Sequence, residues 1–87
     1  MYVYSALSAE GVAGRLAFLQ GDYPMARSHY EKNLQIWRDL DDKRGIGHAL
    51  IALGSAVTAQ GDYAAARSFY EEGLSIEKEL GEKSEFY

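Results

Sequence analysis

The sequence nearly repeats itself at a spacing of forty residues. Gln20-Gly21-Asp22-Tyr23, Ala26-Arg27-Ser28 and Tyr30-Glu31 return as Gln60-Gly61-Asp62-Tyr63, Ala66-Arg67-Ser68 and Tyr70-Glu71. Leu34, Ile36 and Leu40 return as Leu74, Ile76 and Leu80. Between Gly14–Leu40 and Gly54–Leu80, 13 of 27 positions are identical without a gap. A fixed period of about 20–50 residues marks a stacked repeat, because each unit leaves an apolar face that only a neighbouring unit can cover.

Apolar residues recur at helical spacing in four segments, and no segment alternates as a strand does. The spacing predicts helices over roughly 5–19, 23–40, 43–59 and 63–80. Val12, Ala13, Leu16 and Ala17 share one face of the first. Ala26, Tyr30, Leu34 and Trp37 mark the second, and Trp37 is placed to pack on the third. Leu50, Leu53, Ala56 and Val57 mark the third, and Ala66, Tyr70 and Leu74 the fourth.

The punctuation agrees. Gly21 and Gly61 stand where a helix closes on a left-handed residue, and Gly81 is expected to close the fourth helix in the same way. Asp22 and Asp62 are expected N-caps, and Asp41 with Asp42 is placed to cap the third helix. Pro24 falls in a first turn, where no intrahelical N–H bond is lost. Connections this short force consecutive helices into antiparallel hairpins. Gly14 and Gly54 lie inside helices at one repeat position, which predicts close helix–helix approach there.

Composition excludes several functions. With 9 basic against 13 acidic residues the net charge is −4, and no Lys/Arg cluster offers a nucleic-acid footprint. The longest charge-free run, Gly45–Gly61, contains His48 and many small residues. It reads as a packed helix rather than a span of about 20 apolar residues. Neither nucleic acid nor a membrane is expected as a partner. There is no cysteine, hence no disulfide or thiolate–metal site. The opening Met1-Tyr2-Val3-Tyr4-Ser5 lacks the basic and apolar regions of a secretory signal, so a cytoplasmic setting is expected.

These residues resemble the tetratricopeptide repeat. That family's unit is a helix hairpin with Leu-Gly in its first helix, a Gly-Asp/Asn-Tyr/Phe turn, then an alanine and an aromatic four residues later. Leu50, Leu53-Gly54, Val57, Gly61-Asp62-Tyr63, Ala66, Tyr70 and Gly73 match it almost throughout. Gly14, Gly21-Asp22-Tyr23, Ala26 and Tyr30 match in the earlier unit, which departs at Glu10 and Ala13, so its first helix is expected either to fray or to face a missing neighbour. The forty-residue period resembles the longer variety found in kinesin light chains and large bacterial regulators. The resemblance implies an all-α fold of two stacked hairpins, four antiparallel helices forming a fragment of an α-solenoid. Repeat 1 covers about residues 5–41 and repeat 2 about 43–81. Residues 83–87 align with the opening turn of the third helix, and 82–87 read as the start of an incomplete third repeat.

The resemblance also implies a non-catalytic protein–protein interaction module whose partner, a protein or peptide, lies on the concave face. The matching positions are Ser8, Gly11, Arg15, Phe18 and Leu19, then His48, Ile51, Ser55, Thr58 and Ala59. Chaperone-binding members clamp a C-terminal carboxylate with several cations. Here only Arg15 fits that part, and the activity is not supported. The exposed pair Phe18 and Leu19 suits an apolar or helical partner segment, unless Phe18 packs under Tyr2 and Tyr4.

Two units without a cap leave outer faces uncovered, so either the sequence is part of a larger array or another copy supplies the missing contact. The two are compatible, and a homo-oligomer is expected, with helix exchange one route to it. A structural self-assembly element is therefore the alternative reading, and a ligand-sensing piece of a bacterial regulator a more distant one. Chemistry finds no foothold. His29 and His48 form no H-E-x-x-H pattern, and no phosphate-binding loop is present. The carboxylate runs fall on polar helix faces or in linkers, so they read as solvated. No catalytic residue, cofactor or metal is predicted.

Overall fold

The computed structural model describes residues 2–84. Four helices follow one another: α1 (Tyr2–Leu19), α2 (Tyr23–Asp39), α3 (Lys43–Ala59) and α4 (Tyr63–Ser84). Each packs on the next in sequence. The slab they form measures 42 × 34 × 19 Å, its thin dimension about two helix diameters. This is the all-α arrangement of two stacked hairpins.

The corners show why the chain folds back where it does. Gly21 and Gly61 are left-handed, with φ of +80° and +85°. At the first corner the N–H groups of Gly21 and Asp22 donate to the carbonyls of Phe18 (3.0 Å) and Ala17 (2.8 Å). At the second, Gly61 and Asp62 donate likewise to Thr58 and Val57, both at 2.9 Å. This bond pair ends a helix cleanly while satisfying carbonyls that would otherwise lack partners. The aspartate carboxylates then begin the next helix. Asp22 accepts from Met25 N at 3.3 Å, and Asp62 from Ala65 N at 3.2 Å.

The middle corner departs from the sequence expectation. Asp42 alone caps α3, accepting from Gly45 N at 3.0 Å. Asp41 instead takes the left-handed position, with φ of 53°. Aspartate tolerates that conformation better than most side chains. Gly81, the repeat counterpart of Asp41, does not close its helix. α4 runs through it to Ser84 with no positive φ. Glycine permits a left-handed stop without demanding one. Of the expected third-repeat start, residues 82–84 belong to α4, and 85–87 lie outside the described residues.

The core is centred on α3, where Leu50, Leu53 and Val57 are fully buried. Ala17, Ala26 and Ala56 meet where α1, α2 and α3 converge, with Phe18 and Tyr30 packed at the edge. Small residues at this junction let the backbones approach, and the aromatic rings fill what remains. Gly14 and Gly54 have the predicted function. A Cβ on either would stand 2.6 Å from the ring of Tyr30 or Tyr70 respectively. Trp37 does pack on α3, its ring lying over Gly45 where a Cβ would collide with it.

One expectation for α1 is corrected. Its buried residues are Leu7, Gly14 and Ala17, whereas Val12 and Leu16 are 56% and 54% exposed. They point away from α2, the one helix packed substantially on α1. Of the two outcomes expected for α1, the exposed Val12 and Leu16 fit the missing neighbour, and α1 does not fray at Glu10. That carboxylate pairs with His29 on α2, Oε2 to Nδ1 at 2.7 Å, with both side chains about three-quarters covered. Asn33 adds a bond from Nδ2 to the Leu7 carbonyl at 3.0 Å. Polar links thus replace the apolar contact expected at that position.

Candidate protein-binding face

Within the slab, α1 and α3 lie on either side of α2, and a groove runs between them. Arg15, Phe18 and Leu19 of α1 form one wall, Ala52 and Ser55 of α3 the other, and Tyr30 of α2 also lines it. Its volume is about 350 Å³. Leu19 is 72% exposed, whereas Phe18 is half-buried. Phe18 is held edge-on against Tyr23, ring centroids 5.3 Å apart, and not under Tyr2 and Tyr4. That contact leaves Leu19 as the more accessible apolar anchor.

The groove gathers Arg15, Phe18, Leu19 and Ser55 from the predicted set. Ser8 lies elsewhere, in a trough on the outer side of α1 with Tyr4, Val12 and Leu16. Ile51 is half-buried against Gly73 of α4, which makes it a packing residue between the helices of the second hairpin. His48 and Thr58 are exposed on α3 outside the groove lining. The Thr58 hydroxyl is already turned back on its own helix, donating to the Gly54 carbonyl at 2.7 Å. Tyr30 and Ala52 were not foreseen as groove residues. Tyr30 repeats as Tyr70 and reads as core, although its ring has one face on Gly14 and another on the groove.

Electrostatics in the groove rest on one cation. Burial pushes the Tyr30 hydroxyl above its ordinary pKa, and the neighbouring Arg15 offsets part of that rise. The hydroxyl therefore stays protonated and can donate a hydrogen bond. Ser55 Oγ donates to the Ile51 carbonyl at 3.2 Å and lies 3.3 Å from the Tyr70 hydroxyl. The groove offers an apolar strip, one guanidinium and hydroxyls. Among the described residues no cluster of His, Asp and Glu is arranged to hold a metal ion. No helix among them is long and apolar enough to cross a membrane.

The sequence profile described as tetratricopeptide repeat matches residues 5–79. The chain belongs to the tetratricopeptide repeat family. No curated protein and no solved structure matches it. Membership of the tetratricopeptide repeat family implies protein partners in general. The family scaffold is reused for many different partners, so partner chemistry has to be argued from the side chains on its faces.

Proposed function

We propose that the chain is a non-catalytic protein–protein interaction module that takes an apolar, helical or extended peptide segment into the groove between α1 and α3. One observation carries this reading: the exposed Leu19 and half-buried Phe18 share a single open groove with Arg15 and Tyr30. An aromatic-lined apolar anchor beside a cation is the composition of an interface hot spot. At about 350 Å³ the groove lies at the low end of ligand-pocket volumes, and it is open along its length as a peptide-binding groove requires. A partner with an apolar anchor next to a carboxylate satisfies both elements.

Panning a random peptide display library on the immobilised chain tests this. Enriched peptides should lose binding to Leu19→Asp and weaken with Arg15→Ala, since both side chains are exposed and their loss leaves the fold intact. Peptides that bind these variants and the wild type equally would refute the groove assignment.

A self-assembly reading stands beside it, favoured by a separate observation. Apolar residues are exposed on the outermost helices at both ends of the row: Tyr4, Val12 and Leu16 on α1, and Tyr63 and Leu74 on α4. Light scattering over a concentration series tests this reading, and a monomer at every concentration would refute it.

A further inference from the structure

The internal seam between the two repeats, α2 on α3, shows how one repeat receives the next. Three contacts define it. Ala26 meets Ala56. Trp37 covers Gly45. Arg27 reaches the second Gly-Asp corner, donating from Nη1 to Gln60 Oε1 at 3.5 Å, with Asp62 Oδ2 at 4.0 Å.

Shifting by one repeat carries the α2 side of this seam onto α4, and the α3 side onto α1. The trough on the outer side of α1 consists of the counterparts of that α3 face. Ser5, Ala9, Val12 and Leu16 stand where Gly45, Ala49, Ala52 and Ala56 stand in α3. Burial differs sharply between the two sets. Ala56 is fully buried and Leu16 is 54% exposed; Ala49 is 3% exposed and Ala9 is open. On α4 the counterpart of the half-buried Leu34 is Leu74, which is 62% exposed. Each end of the row thus carries one half of a seam whose assembled form lies inside the same chain.

We infer that α4 of one copy docks on α1 of a second copy in the manner of α2 on α3, giving head-to-tail association of the repeats. This rests on the self-assembly reading above and adds the faces, the polarity and the partners. The polar contact identifies the occupant. Arg27, Gln60 and Asp62 form the internal stitch, and their counterparts at the two open ends are Arg67, Gln20 and Asp22, identical in residue type. Arg67 is 83% exposed, its side chain engaged with Glu71 one turn along its own helix. Docking places it on Gln20 and Asp22 of the second copy. The apolar floor differs: Leu16 takes the place of Ala56, and Ala66 is already buried at 4% exposure within its own chain, so the open apolar surface for this contact is Val12 and Leu16 on α1 and Leu74 on α4.

The far end of the seam is less complementary, and this sets the strength. Glu77 stands in place of Trp37, and Ser5 in place of Gly45, so the indole lock is absent. The internal Arg38–Glu72 pair, 3.0 Å, becomes Lys78 opposite Lys32 of the second copy. One favourable and one unfavourable exposed charge contact nearly cancel, leaving the apolar strip as the main attraction. The contact belongs with small, weak interfaces. It is heterologous, so it propagates into short open rows and does not close as a symmetric dimer.

The test uses sedimentation velocity on the full chain from micromolar to millimolar concentration. Wild type should show concentration-dependent association. Leu16→Asp and Leu74→Asp should each weaken it more than about tenfold, since a charge would be left in an apolar seam. Their circular dichroism should match wild type, because both side chains are exposed. The decisive sample is the mixture. Each variant retains one intact face, so head-to-tail docking predicts a 1:1 heterodimer where neither variant dimerises alone. Lys32→Glu should tighten association by about two- to fivefold by restoring the internal pairing pattern. Association that survives both blocking variants, or a mixture that stays monomeric when wild type dimerises, overturns this geometry while leaving self-assembly by another route. A wild-type monomer at millimolar concentration overturns both.

Discussion

Gly54 offers a test in which two known effects oppose each other. In the interior of a helix, glycine to alanine stabilises by about 1 kcal/mol, because the backbone loses less entropy on folding. At Gly54 the new methyl would lie 2.6–2.8 Å from three atoms of the Tyr70 ring, well inside contact distance. The ring is half-buried, and its hydroxyl is tied to Ser55 Oγ at 3.3 Å, so it cannot swing aside freely. Overpacking of this kind costs about 1–3 kcal/mol. The overlap therefore outweighs the propensity gain, and Gly54→Ala should destabilise by about 1 kcal/mol net. In a domain of this size that lowers the melting temperature by roughly 4–8 °C. The assay is thermal and guanidinium unfolding in a double-mutant cycle with Tyr70→Leu. With the ring shortened, the same Gly54→Ala change should stabilise by about 1 kcal/mol, reversing sign. An increase in wild-type stability on Gly54→Ala, or the same effect in both backgrounds, would refute the claim that this glycine makes room for the tyrosine.

Two further predictions follow from single contacts. Asp42→Ala removes the carboxylate that caps α3 through Gly45 N, and urea unfolding should show a loss of about 1 kcal/mol. Tyr30 has its pKa raised chiefly by burial, so above pH 10 the unfolded chain releases a proton that the folded chain still holds. Its contribution is thus intact below pH 10 and is lost as pH rises through the raised folded value. Stability should fall less between neutral and strongly alkaline pH in Tyr30→Phe than in wild type, and equal pH profiles would count against this environment for Tyr30.

The hairpins were legible because their signals are local. A Gly-Asp pair states both where one helix stops and where the next begins, and the spacing of alanine and tyrosine states which side is covered. The groove was only partly legible. Ser8 and Arg15 lie two turns apart on nearly the same face of α1, yet only Arg15 lines the groove, because the groove opens beside the C-terminal end of α1, with Phe18 and Leu19. The placement of α1 against α2 is held by Gly14 under Tyr30 and by the Glu10–His29 pair, the second of which joins residues 19 apart with no repeat counterpart to reveal it. Ile51 was misplaced for a related reason. Gly73 removes a side chain from α4, and Ile51 fills the space from across the hairpin. A vacancy on one helix that redirects a side chain on another leaves no periodic trace.

Position 81 shows how far a residue's own preference decides a fold. Asp41 and Gly81 are repeat counterparts, and glycine accepts left-handed geometry more readily than aspartate. Even so, Asp41 turns the chain and Gly81 continues the helix. What differs is the next residue and what it begins. Asp42 reaches the N–H of Gly45 and starts a helix that packs over Trp37, whereas Glu82 replaces it at position 82 with a side chain disfavoured at a cap. The corner at 41 is stabilised from downstream. Gly81 also has nothing within 4 Å of where a Cβ would stand, unlike Gly54. Gly81→Ala should therefore stabilise α4 by up to about 1 kcal/mol, the opposite sign to Gly54→Ala, with helical ellipticity at least maintained. A drop in both melting temperature and ellipticity would show that Gly81 is left-handed in solution, with α4 stopping just before it as α2 stops just before Asp41.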